Sequence, residues 1–254
     1  MSERDRRVRR WYPEVDVGGF THVDGTVAFY SRINGILRPS SVVLDLGCGR
    51  GAAQDDPSDW RRDLQIFRGR CARVVGADVD PAASTNPYLD EFVLMENGRV
   101  PLPEAQFDLC VSDAVVEHVD DVATFFSECA RLVKPGGYLC LRTPNVWNYA
   151  TIATRTIPNR LHTRVLRTVQ PGRKEEDVFP TLYRCNSVRR LRTTMNSWGF
   201  DSVVHTFESE PAYLSFSSAT YFLGVMHQRY APPAFRRTIM AYGRRRTSPP
   251  SDAR

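Results

Sequence analysis

The sequence predicts an α/β fold, a doubly wound, mostly parallel sheet with helices on both faces. Three observations carry this reading. Short apolar runs at 42–46, 73–77, 91–94, 107–112 and 138–142 alternate with stretches of helical period. The first of them passes directly into Gly47-Cys48-Gly49-Arg50-Gly51. Polar or acidic residues, Asp45, Asp78, Asn97 and Asp113, recur where these runs end. Strands separated by helical stretches pair in parallel, and ligands of such sheets bind beyond the carboxyl ends of the strands.

Residues 1–40 are aromatic, with Trp11, Tyr12, Phe20, Phe29 and Tyr30, and are expected to form a lid before the sheet. Within them 27–37 has a helical period that Pro39 and Ser40 end. Tyr12, Phe20 or Tyr30 are candidates to close over a ligand, and Arg32 could pair with a ligand carboxylate. The run at 42–46 is apolar enough for a strand covered on both faces, and the glycines after it permit a sharp turn and a close ligand approach. Between 52 and 69 an acidic insert, Asp55, Asp56, Asp59 and Asp63, precedes an amphipathic stretch around Trp60, Leu64 and Phe67. This reads as a loop and the first crossover helix.

The second strand ends in Asp78-Val79-Asp80-Pro81. A carboxylate there offers two acceptor oxygens to a pair of ribose hydroxyls. After the third strand, Glu96-Asn97-Gly98-Arg99 forms a turn placed to flank an adenine. The fourth strand leads into Asp113-Ala114-Val115-Val116-Glu117-His118. Asp120 or Asp121 then caps a helix with Val122, Phe125, Phe126, Cys129, Leu132 and Val133 on one face. Lys134 is expected in its last turn, with Pro135-Gly136-Gly137 ending it. A fifth strand at 138–142 follows. Residues 146–186, rich in Thr, Arg and Pro, read as a substrate-side insertion. Beyond it the expectation is a helix capped by Asn186 or Ser187, a strand at 203–207, a helix at 218–228 and an antiparallel strand at 238–242. These divide one domain, 1–246, into a lid (1–40), a core (42–145), the insertion and a carboxyl-terminal part (187–246), with a disordered tail at 247–254.

The chain has 254 residues, a net charge of +5, 42% hydrophobic and 25% charged residues, the balance of an ordinary globular domain. Nothing approaches the length of an apolar membrane span, and no secretory signal is visible. The six cysteines have no metal-ligand spacing and read as reduced core residues, so a cytoplasmic protein without a metal is expected. Nearly all bases are arginine, Lys134 and Lys174 being the exceptions. The clusters at Arg4–Arg10 and Arg244–Arg246 are solvated tails or attract an anionic substrate or nucleic acid.

The acid in front of the glycine turn separates this motif from a dinucleotide fingerprint. It suits a ligand with a positive amine rather than a pyrophosphate, and that ligand would be S-adenosyl-L-methionine. Val-Leu-Asp-Leu-Gly-Cys-Gly-Arg-Gly at 43–51, Gly-Ala-Asp-Val-Asp at 76–80 and Phe-Asp-Leu-Cys-Val-Ser-Asp at 107–113 carry a resemblance. So do Val-Glu-His-Val at 116–119 and Arg-Leu-Val-Lys-Pro-Gly-Gly-Tyr-Leu at 131–139. Over about 42–145 the chain resembles the class I S-adenosylmethionine-dependent methyltransferases.

The resemblance implies a seven-stranded, Rossmann-like sheet with a reversed final hairpin. It implies that Asp45, Gly47, Cys48, Gly49 and Gly51 hold the methionine part and Asp78 with Val79 the ribose, Asp80 being a substitute. It places Asn97 and Gly98 by the adenine and Asp113 and Ala114 by the sulfonium. The expected activity is methyl transfer to a small-molecule acceptor, a hydroxyl of a sugar, glycan or specialised metabolite. His118 is the candidate general base, with Glu117, Tyr12, His22 and Tyr183 behind it, and Arg184 and the arginines of 155–173 could hold an anionic acceptor.

Three rivals differ in class. A nicotinamide oxidoreductase lacks its Tyr-x-x-x-Lys pair here. An amino-directed nucleic-acid (RNA) methyltransferase lacks Asn/Asp-Pro-Pro-aromatic after the fourth strand, and Asn86-Pro87-Tyr88 has no second proline. A non-catalytic cofactor-binding protein would bind the ligand without transfer.

Overall fold

A computed structural model describes residues 3–149, 151–152 and 180–247. Seven strands form one sheet in the order β3-β2-β1-β4-β5-β7-β6. They are β1 Val42–Leu46, β2 Arg73–Asp78, β3 Glu91–Leu94, β4 Phe107–Asp113, β5 Val133–Pro144, β6 Phe200–Phe207 and β7 Thr238–Arg245. The first five pair in parallel, while β7 runs antiparallel to both β5 and β6. The reversed hairpin expected at the end is therefore present. Six α-helices are described: α1 Glu3–Trp11, α2 Gly25–Ile36, α3 Asp59–Gln65, α4 Val122–Leu132, α5 Val188–Ser197 and α6 Ser218–Tyr230.

Side chains alternate between the faces of a sheet, and here the two faces differ in kind. Leu44, Leu46, Val75, Ala77, Cys110, Leu139 and Leu141 pack with Phe125, Phe126, Cys129 and Leu132 of α4 and Leu191 and Met195 of α5. Val43, Val74, Leu109, Val111 and Cys140 pack against Phe29, Tyr30 and Ile33 of α2 and against Phe67. Carrying the second alternation onward along each strand reaches Asp45, Asp78, Asp113 and Arg142. These charged residues thus lie on the α2 face, at the carboxyl edge.

Helix starts follow their caps. Asp24 accepts from the Thr26 and Val27 amides at 2.8 and 2.9 Å, Asp121 caps α4, and Ser217 with Thr220 forms a capping box on α6. The expectation for Lys134 is corrected. α4 ends at Leu132, and Val133 already begins β5. Lys134 Nζ donates to both Asp108 oxygens at 2.9 Å, an inter-strand pair. The glycines after it shape a strand irregularity rather than a helix stop: a Cβ at Gly137 would lie 2.9 Å from the Asp108 carbonyl. The strand expected at 203–207 begins earlier, at Phe200, and β7 extends to Arg245. Arg155, Arg160, Arg164, Arg167, Arg173 and most of the expected insertion and tail lie outside the described residues.

Candidate functional site at the carboxyl edge

The turn after β1 is built from three positive-φ glycines, Gly47, Gly49 and Gly51. Gly47 is obligatory for space as well as for conformation, because a Cβ there would lie 2.3 Å from Val115 Cγ2. A Cβ at Gly49 would meet nothing, so this residue presents open backbone. The turn is anchored on both sides. The Gly47 amide donates to the Ala77 carbonyl at 2.7 Å. Asn86 Nδ2 donates to the carbonyls of Cys48 and Gly49 at 3.0 and 3.3 Å. Asn86-Pro87 therefore buttresses the turn, a role unlike the nucleic-acid motif weighed above.

Asp78, buried at the end of β2, accepts from the Gly49 amide on Oδ2 and the Asp80 amide on Oδ1, both at 2.9 Å. Asp80 instead pairs with Arg50 at 3.1 Å and caps the turn through the Ala82 amide. Val79, 58% exposed, leaves the sheet between them. Asn97 and Gly98 both have positive φ and form a tight turn closed by the Glu96 and Arg99 backbones. The Met95 amide joins it to the Asp78 carbonyl at 2.8 Å.

Asp113 ends β4, and Ala114 turns away with φ 57°. The Asp113 carboxylate is bound from two sides. Arg142, its direct neighbour on β5, donates from Nε at 2.7 Å and Nη2 at 2.5 Å, and the Tyr30 hydroxyl donates at 3.0 Å. Arg142 also reaches Thr26 Oγ1 at 3.1 Å. Burial alone would lower the guanidinium pKa, but the Asp113 charge raises it, so Arg142 keeps its charge. Asp24, through its second oxygen, takes Arg61 Nη1 at 2.7 Å, and Arg61 grips Asp56 with two further bonds of 2.7 Å. The acidic insert at 55–63 is thus a brace between the first crossover and the start of α2.

Asp45 is the exception among these acids. No described group donates a hydrogen bond to its carboxylate. Burial first, then the charges of Asp113 and Asp78, push its pKa up to about 7. A carboxylate poised this way is stabilised by an incoming cation. Cys48 is held as a thiol, its pKa raised by burial and then by Asp45 and Asp78. All six cysteines are free.

The turn after β4 carries Glu117 and His118. Glu117 is buried, accepts from Thr143 Oγ1 at 2.9 Å, and burial raises its pKa. Asn186 Nδ2 in turn donates to Thr143 at 2.6 Å. The Glu117 carbonyl accepts the amides of Leu182 and Tyr183 at 2.7 and 3.1 Å. Glu117 is therefore occupied in structure. His118 Nδ1 lies 2.9 Å from the Pro180 carbonyl. A carbonyl only accepts, so Nδ1 carries the proton and Nε2 is the basic nitrogen of the neutral ring.

Several other expected candidates lie apart from these residues. His22 pairs with Glu14 at an exposed site. Phe20 stacks on Trp60 with ring centroids 4.6 Å apart. Tyr12 is fully buried against Tyr221 and Val225, its hydroxyl donating to Gln228. Arg32 is exposed, and Arg184 pairs with Asp120. Among the aromatics of residues 3–40 Tyr30 reaches the site. Arg142 was missed in the sequence, although a lone cation ending Leu139-Cys140-Leu141 was a signal. Among the described residues no group of three or more His, Cys, Asp or Glu could hold a metal ion, and no helix is long and apolar enough to cross a membrane.

Residues 44–141 match the family model of a methyltransferase domain. A probable S-adenosylmethionine-dependent methyltransferase of Mycolicibacterium smegmatis is 34% identical over 136 residues, 50% of this chain and 47% of that one. A ubiquinone biosynthesis O-methyltransferase of Bradyrhizobium sp. is 32% identical over 150 residues, 55% of this chain and 52% of that one. The chain thus spans about half the length of the curated relatives it matches. Among solved structures, geranyl diphosphate C-methyltransferase from Streptomyces coelicolor, in complex with S-adenosyl-L-homocysteine, shares the fold. Its TM-score is 0.53 at 14% identity, over 96% of this chain and 98% of that one. Residues 44–141 thus match a methyltransferase domain, and the sheet built around them has the fold of a class I S-adenosylmethionine-dependent methyltransferase.

Proposed function

We propose that the chain transfers a methyl group from S-adenosyl-L-methionine to a hydroxyl of a small-molecule acceptor, a sugar, glycan or specialised metabolite. The observation that carries this is the unpaired Asp45 carboxylate beside an open glycine backbone, with Asp78 and Asp113 on the same face. Those residues fit the cofactor: Asp45 faces its ammonium, the Gly47–Gly51 backbone its amino acid part, Asp78 and Val79 its ribose. Asn97 and Gly98 flank its adenine, and Asp113 and Ala114 border the sulfonium. Asp78 is tied to the glycine turn through the Gly49 amide, whereas Asp80 pairs with Arg50, which favours Asp78 for the ribose. Bound there, the cofactor supplies an electrophilic methyl group on sulfur with a neutral thioether as leaving group.

The protein's part is then placement and a proton sink. The brace from Asp113 through Arg142 and Thr26 to Asp24 and Arg61 fixes α2 over the site. His118, held by the Pro180 carbonyl, turns Nε2 to the acceptor hydroxyl and takes its proton as the oxygen attacks. The O-methyltransferases among the relatives support an oxygen acceptor. Against nucleic acid, several terminal arginines are engaged within the chain: Arg7 with Glu3, Arg9 with Asp16, Arg246 with Asp201.

Two measurements test this. Calorimetry with S-adenosylhomocysteine should show saturable binding, and absence of heat would remove the cofactor assignment. Labelled methyl donor incubated with whole-cell extract should yield ether-linked label on small molecules, and label confined to RNA would refute the acceptor class.

A further inference from the structure

A second group of polar side chains stands at the same edge, two strands away, and the cofactor residues do not use it. Three segments build it: the turn after β5 supplies Tyr149, α6 supplies His227, and the approach to β7 supplies Arg237. The Tyr149 and His227 rings meet edge to face with centroids 4.9 Å apart. The Arg237 guanidinium carbon lies 4.9 Å over the Tyr213 ring. The arginine's main chain is fixed, its amide donating to Glu208 Oε2 at 2.6 Å and its carbonyl accepting the Asn145 amide at 2.8 Å. Ser209, beside Glu208, approaches Gly25 so closely that a Cβ there would meet its hydroxyl at 2.6 Å. The cluster therefore abuts the start of α2, which also carries Thr26 of the Asp113 brace.

Tyr149 Oη, His227 Nδ1 and Arg237 Nη1 are each buried without a well-formed hydrogen bond, three of the eight such atoms among the described residues, although the Arg237 guanidinium comes near the Tyr149 hydroxyl. Folded proteins leave few buried polar groups unmet. Three in one cluster, the Tyr149–His227 ring pair with the Arg237 charge acting on the phenol, describe a receptor for a polar group. Glu208 does not meet the need: its Oε2 is engaged by the Arg237 amide and stands 3.8 Å from His227 Nδ1. Burial raises the carboxyl pKa values of Glu208 and Glu210 and lowers that of His227. Burial also raises the Tyr149 pKa, against the opposing pull of the Arg237 charge and of the nearby Arg237 guanidinium as a hydrogen-bond donor. Those shifts favour the neutral forms, which leaves Arg237 as the cation of the cluster.

We infer that Tyr149, His227 and Arg237 form an oxyanion subsite that holds a carboxylate or phosphate of the acceptor, away from the atom methylated. Naming the ligand an acceptor rests on the methyl-transfer reading; the subsite itself does not. A guanidinium edge matches the planar or tripodal oxygens of such groups, a phenol adds an O–H donor, and the Tyr213 and Tyr149 rings give the group apolar flanks.

The test titrates benzoate, phenyl phosphate and uncharged benzamide into protein labelled with ¹⁵N at histidine, with and without S-adenosylhomocysteine. His227 ring signals are assigned from the His227→Gln variant. Saturable shifts of His227 by benzoate mark a carboxylate subsite, by phenyl phosphate a phosphate subsite, and benzamide should leave the signals unmoved. Arg237→Gln should weaken the anion at least about tenfold, Tyr149→Phe about two- to tenfold, and Arg237→Lys should restore part of the loss. The surface variant Arg10→Gln should bind as wild type. Equal response to benzamide, no response to either anion, or an Arg237→Gln protein that binds unchanged would overturn the subsite. Failure of S-adenosylhomocysteine to bind would instead remove the methyl-transfer reading and leave the anion result standing.

Discussion

Cofactor affinity should depend on pH through Asp45. Its carboxyl titrates at about 7 in the free protein because burial and two neighbouring acids disfavour the charge. A ligand ammonium beside it favours the charge, so binding requires the ionised form and releases a proton below neutrality. At about pH 5.5 only about 3% of the free protein carries that charge. Affinity for S-adenosylhomocysteine should therefore fall about thirtyfold, ~2 kcal/mol, relative to about pH 8.5, and level off above neutrality. Calorimetry in buffers of different ionisation enthalpy reads both the affinity and the proton released. Asp45→Asn should bind more weakly at high pH and lose most of the pH dependence. The ligand-free protein offers a second reading of opposite sign. A carboxyl raised in the folded state keeps its proton there, so its contribution to stability declines as pH rises from about 4 to 7. The Asp45→Asn protein should lack that decline. Affinity flat across the range in the native protein, or an unchanged pH profile in the variant, would refute the assignment of Asp45 to the ammonium.

Asp78→Ala removes the acceptor of two backbone amides as well as the expected ribose contact. It should weaken S-adenosylhomocysteine by about 1–3 kcal/mol, roughly five- to 150-fold, by calorimetry; affinity within twofold of wild type would contradict the ribose role. His118→Gln should lower kcat by about 10²-fold or more with cofactor affinity unchanged; a fall in affinity alone would make His118 structural. Asp24→Ala removes both the cap of α2 and the partner of Arg61, and should cost about 2 kcal/mol, lowering Tm by about 4–8 °C in a scanning melt. An unchanged melt would show that the brace carries no weight.

What could be read from the chain divides by sequence distance. The sheet, the glycine turn and the acids at the strand ends were legible because strand alternation and turn chemistry are local signals. Asp45, Asp78 and Asp113 could be placed on a common edge before any coordinates existed. Their differences could not. Asp113 is engaged by Arg142 and Tyr30, 29 and 83 residues away, whereas Asp45 has no such partner among the described residues. Asn86 read as a fragment of a motif and is a clamp, because its targets lie 37 and 38 residues earlier. Lys134 was misread because helical period and strand apolarity coincide at Leu132-Val133, and only pairing with Asp108 decides between them. The cluster at Tyr149, His227 and Arg237 had no signal, since each member comes from a different element and none from a motif.

The division of charge between the sheet's two faces has a consequence for how the chain finds its fold. Slipping β1, β2, β4 or β5 by one residue would turn Asp45, Asp78, Asp113 or Arg142 into the oily layer beneath α4. An unpaired ion there is penalised by several kcal/mol. The acids at the carboxyl edge therefore double as alignment marks: misthreaded pairings are punished during assembly by the same groups proposed to meet the cofactor.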